Sequence, residues 1–167
     1  MGGDNRERMM DMAAEIERKF RVKEGWQPQT EGVRIAQGYL SSVPERTVRV
    51  RIKGEKGFLT VKGRNEGIRR LEFEYEIPCA DAEALLKLCE QPLIEKTRYL
   101  EEVGGFTWEV DVFAGDNVGL RVAEIELPAE DTPFEKPEWA GQEVSGDARY
   151  YNSSLIAHPY CLWKTRP

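Results

Sequence analysis

Histidine, paired cysteines and long apolar segments are scarce in this sequence. The chain has one histidine, His158, which stands next to Pro159 near the C-terminus. A Ser/His/Asp triad would have to use it, and no nucleophile-elbow motif accompanies it, so we expect a structural or exposed histidine. No run of about eighteen apolar residues is present, and we therefore predict no transmembrane helix and no membrane partner.

The three cysteines, Cys79, Cys89 and Cys161, are an odd number and contain no CxxC pair. This pattern argues against a disulfide framework and against a structural zinc site, and it favours a reducing compartment such as the cytoplasm. A glycine-rich phosphate-binding loop is absent as well. Any bound nucleotide would therefore be held by side chains and not by a backbone cradle.

Basic residues do not dominate the charge of the chain. The sequence has 24 Lys and Arg against 30 Asp and Glu, for a net charge of −6, which argues against nucleic acid as a partner. The length suits one domain that is large enough to close an eight-stranded barrel. The first residues, MGGDNRERMMDM, lack the apolar core of a signal peptide. We expect residues 1–11 to be a disordered or cloning-derived extension and residues 12–167 to form a single domain.

What the sequence has in abundance is alternation of apolar and charged residues. The segment EIERK places Glu15, Glu17 and Lys19 on one face of a strand and apolar neighbours on the other. Most of the predicted strands repeat this pattern. We predict about eight strands in mostly consecutive hairpins, over residues 14–22, 33–41, 46–53, 58–62, 70–77, 94–101, 106–113 and 119–127.

Two segments have helical signals. Residues 80–90 place apolar side chains at helical spacing, and Asp81 is expected to cap the N-terminus of this helix. A second capped helix is predicted over residues 147–156. Residues 128–140 contain three prolines and are predicted to form an ordered loop.

The charged faces of the predicted strands carry both signs of charge. The acidic residues on them are Glu15, Glu17, Glu72, Glu74, Asp111, Glu124 and Glu126, and the basic residues are Lys19, Arg49, Arg51, Lys62, Arg70, Lys96 and Arg98. Solvated faces of an open sheet, with salt bridges between strands, would explain the pattern in a single strand. Its recurrence in most strands favours a mainly β fold, a closed eight-stranded antiparallel barrel with a charged interior and a few flanking helices. A lipocalin-like barrel for apolar ligands would need an apolar interior.

This mixture of side chains suits a metal–polyphosphate site. Many carboxylates in a confined interior repel one another unless cations bridge them, and ligands that are all oxygen favour a hard ion such as Mg²⁺ or Mn²⁺. Arg and Lys on neighbouring strands suit phosphate oxygens. Such a site stabilises charge on a transferred phosphoryl group and can position an attacking water.

Short motifs along the chain occur in a recognisable order. After EIERK at residues 15–19 come TVRVR at 47–51, LTVK at 59–62, RLEFE at 70–74, EKTRY at 95–99, WEVDVF at 108–113 and AEIEL at 123–127. Together they resemble the CYTH domain family, the triphosphate tunnel metalloenzymes, whose opening motif is ExExK. The resemblance extends over nearly the whole chain from about Met12 onward, and the EIERKF opening is similar to that of the short bacterial inorganic triphosphatases.

The resemblance implies an antiparallel tunnel that hydrolyses or cyclises triphosphates with a divalent metal. It implies that the metal ligands are Glu15, Glu17, Glu124 and Glu126, helped by Glu74 and Asp111, and that the phosphate-binding residues are Lys19, Arg49, Arg51, Lys62, Arg70, Lys96 and Arg98. Tyr39 and Lys96 resemble a tyrosine–lysine pair of this family that acts on the attacking water. Such a role is chemically reasonable, because a nearby ammonium makes a phenol a better proton donor. Tyr39 is equally well interpreted as an aromatic residue of the tunnel wall.

The substrate expected from the resemblance is inorganic triphosphate (PPPi), cleaved to pyrophosphate and phosphate. The alternatives are a class IV-type adenylate cyclase, for which no adenine pocket is recognisable in the sequence, and a nucleoside or thiamine triphosphatase. An alternative of another class is a non-catalytic polyphosphate-binding module, which would not need so many carboxylates. The expected partner is a small-molecule triphosphate, and the expected assembly is a monomer or a homodimer.

Overall fold

The structure is a computed structural model that describes residues 14–164. The extension expected over residues 1–11 lies outside the described residues. Within residues 14–164 the chain forms nine strands, β1 (Ala14–Val22), β2 (Val33–Ser41), β3 (Arg46–Lys53), β4 (Lys56–Gly63), β5 (Arg69–Ile77), β6 (Ile94–Val103), β7 (Phe106–Phe113), β8 (Arg121–Glu126) and β9 (Ala140–Glu143). The same residues contain helices α1 (Cys79–Leu86) and α2 (Ser154–Ala157) and the 3₁₀ turns Gly115–Asn117, Ala148–Tyr150 and Tyr160–Leu162.

Eight of the strands close into a barrel in which all neighbours are antiparallel. Their order is β5-β4-β3-β2-β6-β7-β8-β1, and β1 then pairs with β5. The β1–β5 pairing that closes the barrel is short and extends from Ala14 opposite Leu71 to Ile16 opposite Arg69. Strand β9 lies beside the far end of β1, where Val22 pairs with Ala140. The predicted closed eight-stranded antiparallel barrel is therefore confirmed.

The alternation of the sequence determines which side chains lie outside the barrel. On the outer face of β1, β7 and β8, buried apolar residues that include Phe20, Trp108 and Ile125 pack under loop residues such as Trp26 and Phe134. Burial of these apolar surfaces is the main favourable contribution to folding. None of the helices formed by residues 14–164 is long and apolar enough to cross a membrane.

Helix α1 covers a second part of the outer face. Ala82 and Leu86 of this helix pack with Val50 of β3. The approach is close, because a Cβ atom added at Gly57 would lie 2.7 Å from the Cβ of Ala82. Gly57 therefore allows the helix to lie directly on β4.

The C-terminal segment fills one end of the barrel, where β6 and β8 begin and β7 ends. At this end the inward positions carry apolar residues, and these pack with residues of the C-terminal segment, residues 144–164. The cluster contains Tyr39, Ile94, Phe113 and Val122 from the strands and Tyr150, Leu155, Ile156 and Trp163 from the C-terminal segment. The barrel interior is therefore charged over most of its length and closed by an apolar plug at this end.

Some details of the predicted secondary structure differ from the structure. Helix α1 ends at Leu86 and not at residue 90, and it follows Pro78 with no side-chain cap, so Asp81 lies in the first turn and not at the cap. The helix predicted over residues 147–156 is instead a 3₁₀ turn followed by the short α2, because Tyr151 adopts an extended backbone with a ψ of 131°. The predicted loop over residues 128–140 is confirmed except at its end, where β9 begins.

Substitutions in the plug test how much it contributes to the stability of the folded protein. Leu155 is fully buried in it, whereas Leu162 is 58% exposed. We expect Leu155→Ala to lower the free energy of unfolding by about 2–5 kcal/mol, since it leaves a cavity among apolar neighbours. Leu162→Ala is the matched control and should cost less than about 0.5 kcal/mol. Urea denaturation measures the free energy of unfolding of both variants. Equal effects of the two substitutions would contradict the stabilising role of the plug.

Candidate active site

The barrel encloses a cavity of about 470 Å³ to which every barrel strand contributes side chains. Every residue predicted to lie on the charged face lines this cavity except Asp111. The C-terminal segment adds Ser145, Gly146 and the run of residues 151–153. This contribution was not predicted from the sequence, because residues 147–156 were expected to form a helix.

Asp111 lies behind the cavity wall and holds two cations in place. Its Oδ2 accepts a hydrogen bond from Lys96 Nζ at 2.6 Å, and its Oδ1 accepts one from Arg98 Nε at 2.8 Å. Burial raises the pKa of Asp111, but the two cations outweigh burial and lower the pKa to about 2. Asp111 therefore stays ionised and sets the positions of Lys96 and Arg98 through charge-assisted hydrogen bonds.

The carboxylates gather on β1 and β8, on one side of the cavity. Glu17 lies opposite Glu126 and Lys19 lies opposite Glu124 across the β1–β8 pair. Burial raises the pKa of Glu17 well above its ordinary value, and the neighbouring Glu124 and Glu15 raise it further. Burial also raises the pKa of Glu126, again with Glu15 contributing.

Two lysines partly neutralise this acidic cluster. Lys62 Nζ lies 3.2 Å from Glu15 Oε2, and Lys19 Nζ lies 3.2 Å from Glu124 Oε1. Burial alone would raise the pKa of Glu124, but Lys19 and further cations lower it well below its ordinary value. The acidic side of the cavity is therefore neutralised unevenly, and Glu17 is the member whose charged form is most disfavoured.

The acidic cluster fits a hard divalent cation by its chemistry. Its donors are carboxylate oxygens, and the repulsion that raises the pKa of Glu17 is relieved when a cation binds between the carboxylates. No three His, Cys, Asp or Glu side chains of the described chain are already arranged as a metal cage. A metal would therefore bind by displacing lysine ammonium groups from Glu15 and Glu124 or by sharing those carboxylates with them.

Four of the cations, Arg49, Arg51, Lys96 and Arg98, lie on β3 and β6, on the other side of the cavity. Burial, together with the guanidinium groups of Arg49 and Arg98, lowers the pKa of Arg51 to about 9. Within residues 14–164, Arg49 Nε is a buried donor that no acceptor reaches. An unpaired buried donor beside other cations is a site that an anion would stabilise.

The remaining predicted cations and carboxylates also line the cavity. Arg70 donates to Thr47 Oγ1 at 2.8 Å. Arg49 Nη2 lies 3.4 Å from Glu74 Oε1, and Lys62 Nζ lies 3.6 Å from Glu72 Oε1. These pairs place cations and carboxylates side by side around the wall.

Tyr39 and Lys96, the predicted reactive pair, both line the cavity. Burial, with the nearby Arg98 and Arg51 cations, lowers the pKa of Lys96 to about 7, although Asp111 acts in the opposite direction. The ring of Tyr39 belongs to the apolar plug, and its hydroxyl accepts a hydrogen bond from Gln37 Nε2 at 3.2 Å. Both interpretations of Tyr39, as a wall residue and as a residue beside the reacting groups, are compatible with this position.

His158, the residue that a triad would have needed, is exposed and distant from this chemistry. Its side chain is absent from the cavity lining. Its backbone carbonyl accepts a hydrogen bond from Trp163 Nε1 at 3.2 Å. The expectation of a structural or exposed histidine is therefore confirmed.

The comparison with known families agrees with this geometry. The CYTH domain model matches residues 13–160. The chain belongs to the CYTH domain family. Triphosphatases of this family depend on a metal ion.

Relatives of this CYTH protein include two inorganic triphosphatases. An inorganic triphosphatase of Acetivibrio thermocellus is 52% identical over 155 residues, which covers 92% of this chain and 99% of that protein. An inorganic triphosphatase of Nitrosomonas europaea is 37% identical over 145 residues, which covers 84% of this chain and 95% of that protein.

Solved structures extend the likeness from sequence to fold. The crystal structure of an inorganic triphosphatase has a TM-score of 0.63 and 36% identity, and the match covers 85% of this chain and 93% of the other. A putative adenylyl cyclase from Hippeastrum, described as having a dominant triphosphatase activity, has a TM-score of 0.53 and 13% identity over 68% of this chain and 79% of its own. At that identity the likeness concerns the fold alone.

The raised pKa of Glu17 gives this CYTH domain a testable property. A carboxyl whose pKa is higher in the folded protein binds more protons when folded, so it costs stability as the pH rises above its ordinary value of 4.5. Glu17→Gln removes that cost. At pH 8 in EDTA we expect a Tm equal to or above that of the unsubstituted protein. We also expect the increase in Tm caused by Mg²⁺ or Mn²⁺ to be lost.

Thermal denaturation with and without metal measures both effects. Glu95, an exposed residue of β6 that does not line the cavity, provides the control substitution Glu95→Gln, which should keep the response to metal. A Glu17→Gln protein that is stabilised by metal as strongly as the unsubstituted protein would contradict the role of Glu17 as a ligand.

Proposed function

We propose that this protein is a divalent-metal-dependent triphosphatase that hydrolyses PPPi to pyrophosphate and phosphate. The observation that carries the proposal is the presence, in one cavity, of carboxylates whose charge is not fully neutralised and of cations whose charge is not fully neutralised. On one side the clustered carboxylates favour a cation, and on the other the buried donor of Arg49 and the crowded Arg51 favour an anion. A metal–triphosphate complex supplies both charges.

In this proposal the metal is Mg²⁺ or Mn²⁺, and the residues that would hold it are Glu15, Glu17, Glu124 and Glu126, with Glu74 of β5 as a helper. When bound, the metal would neutralise charge that develops on phosphate oxygens. Asp111 is proposed to help indirectly, since both of its oxygens already bind Lys96 and Arg98.

The proposed phosphate-binding residues lie around the cavity wall, with Lys19 and Lys62 beside the carboxylates and the others on β3, β5 and β6. They are Lys19, Arg49, Arg51, Lys62, Arg70, Lys96 and Arg98, all of which line the cavity. Their fixed positions, maintained by ion pairs and by hydrogen bonds to the strands, reduce the reorganisation needed as the reaction proceeds.

The reaction proposed is attack of water on a terminal phosphorus of PPPi. The bond between that phosphorus and the bridging oxygen breaks, pyrophosphate leaves, and the water proton is transferred to a neighbouring group. Tyr39 and Lys96 are proposed to orient this water and to take part in the proton transfer. Lys96, whose pKa is about 7, is suited to exchange a proton near neutral pH.

Two further features support an inorganic substrate in a reducing compartment. The cavity wall is formed mostly by charged side chains, which suit an inorganic anion better than an apolar base, and the aromatic residues that line it are Tyr39, Phe58 and Tyr151. Cys79 and Cys89 are free thiols, which supports a cytoplasmic location.

The primary test measures release of phosphate and pyrophosphate from PPPi, ATP and thiamine triphosphate, each with Mg²⁺, Mn²⁺ or EDTA. We expect fast, EDTA-sensitive hydrolysis of PPPi and little from the other two. Cyclic AMP and pyrophosphate from ATP would establish a cyclase in its place, and preferred hydrolysis of ATP or thiamine triphosphate would redefine the substrate. Tight binding of PPPi with no turnover would establish a binding module.

A second test concerns the buried donor of Arg49. We expect Arg49→Ala to weaken the binding of PPPi in EDTA by about 10- to 100-fold, the effect of losing a charge-assisted hydrogen bond. Titration calorimetry without metal measures binding while preventing turnover. Arg34 is exposed on the outer face of β2, and Arg34→Ala should leave the affinity unchanged. Equal affinities of the Arg49 and Arg34 variants would contradict the anion site.

A further inference from the structure

Two amide side chains connect Tyr39 to Lys96. Gln37 Nε2 donates to Tyr39 Oη at 3.2 Å and to Asn152 Oδ1 at 3.0 Å. Lys96 Nζ donates to the same Asn152 oxygen at 3.1 Å. Gln37 is fully buried, and Asn152, from the C-terminal segment, lines the cavity. A continuous path of hydrogen bonds therefore runs from the phenol to the ammonium.

The directions of these hydrogen bonds follow from the two cations that flank the path. Arg51 Nε donates to Gln37 Oε1 at 2.8 Å. An arginine has no acceptor, so the oxygen of Gln37 must face it and the amino group must face Tyr39 and Asn152. Protonated Lys96 likewise has donors alone, so the oxygen of Asn152 must face it. The network therefore has one arrangement that satisfies both ends.

This arrangement determines what remains available at each reactive group. The oxygen of Tyr39 accepts from Gln37, which leaves the hydroxyl proton free to point away from Gln37 towards a ligand in the cavity. An ammonium has three donors. Lys96 uses one for Asp111 and one for Asn152, which leaves one for the cavity.

We propose that Gln37 and Asn152 are positioning residues, which together orient the Tyr39 hydroxyl and the Lys96 ammonium towards the reacting phosphate. The inference rests on the proposed function, because it concerns the same reaction. It assigns the C-terminal segment a part in the chemistry as well as in the plug, since Asn152 comes from the stretch between the 3₁₀ turn Ala148–Tyr150 and α2.

The first test is Gln37→Glu, which preserves the size of the side chain and an oxygen for Arg51. A carboxylate cannot donate, so both hydrogen bonds from Gln37 Nε2 are lost. We expect kcat for PPPi to fall about 10- to 100-fold, the effect expected from misplaced reactive groups, and KM to rise as well, because the new carboxylate pairs with the phosphate-binding Arg51. Gln142→Glu, on the exposed part of β9, is the matched control and should leave both constants unchanged.

The second test separates positioning from a merely structural role. Gln37→Glu is also made in a protein that carries Tyr39→Phe, a substitution that removes the hydroxyl that Gln37 contacts. If Gln37 acts through Tyr39, Gln37→Glu should lower kcat less than about threefold in that background, because effects within one network are not additive. If the fold-losses in kcat of the two single variants multiply in full in the double variant, the inference is overturned. A Tyr39→Phe protein with unchanged kcat would also overturn it.

Asn152→Ala provides an independent variant, since Asn152 is half-buried and its loss leaves the core residues in place. It should lower kcat with little change in KM, and again less so in the Tyr39→Phe protein. Unchanged kcat for both Gln37→Glu and Asn152→Ala would overturn the inference while leaving the proposed function intact. Absence of PPPi turnover by the unsubstituted protein would overturn the proposed function first, and the inference with it.

Discussion

Ionised side chains inside a closed sheet must be compensated by one another, and the rest of this structure depends on that constraint. Water cannot screen them as it does on a surface, so a buried charge without a partner is costly. The contact of Asp111 with Lys96 and Arg98 is the most buried instance. Since it links β6 to β7 from within, it stabilises the barrel and fixes two cations at the cavity wall at the same time.

Some charged groups in the cavity are not fully compensated by neighbours of opposite charge, and these groups mark the site. Glu17 lies among carboxylates that raise its pKa, while Arg49 has a buried donor with no acceptor among the described residues. A fold selected only for stability would have little reason to maintain two such deficits of opposite sign in one cavity. A ligand that carries both charges relieves them together, so the electrostatics of the cavity favour a complex of a cation with a polyphosphate.

The sequence predicted the barrel and its charged face well because one rule, alternation with period two, governs both. Every predicted strand was found, and the inward parity of residues such as Glu15 and Arg51 followed directly from it. The rule does not apply to irregular segments. Tyr151 and Asn152 reach the cavity from the irregular stretch between a 3₁₀ turn and α2, which helix signals could not reveal. The four-residue β9 is too short for a pattern. Gln37 lies on the inward face of β2, but it was not predicted as a site residue, because the site was identified by its charged side chains and Gln37 is uncharged.

The apolar plug has a consequence for the movement of ligands. Because the C-terminal segment fills one end of the lumen with residues such as Leu155 and Trp163, the barrel is a dead end and not a passage. Substrate must enter and both products must leave through the same mouth, so the departure of one molecule precedes the arrival of the next. A long polyphosphate could insert a chain end here but could not be threaded through.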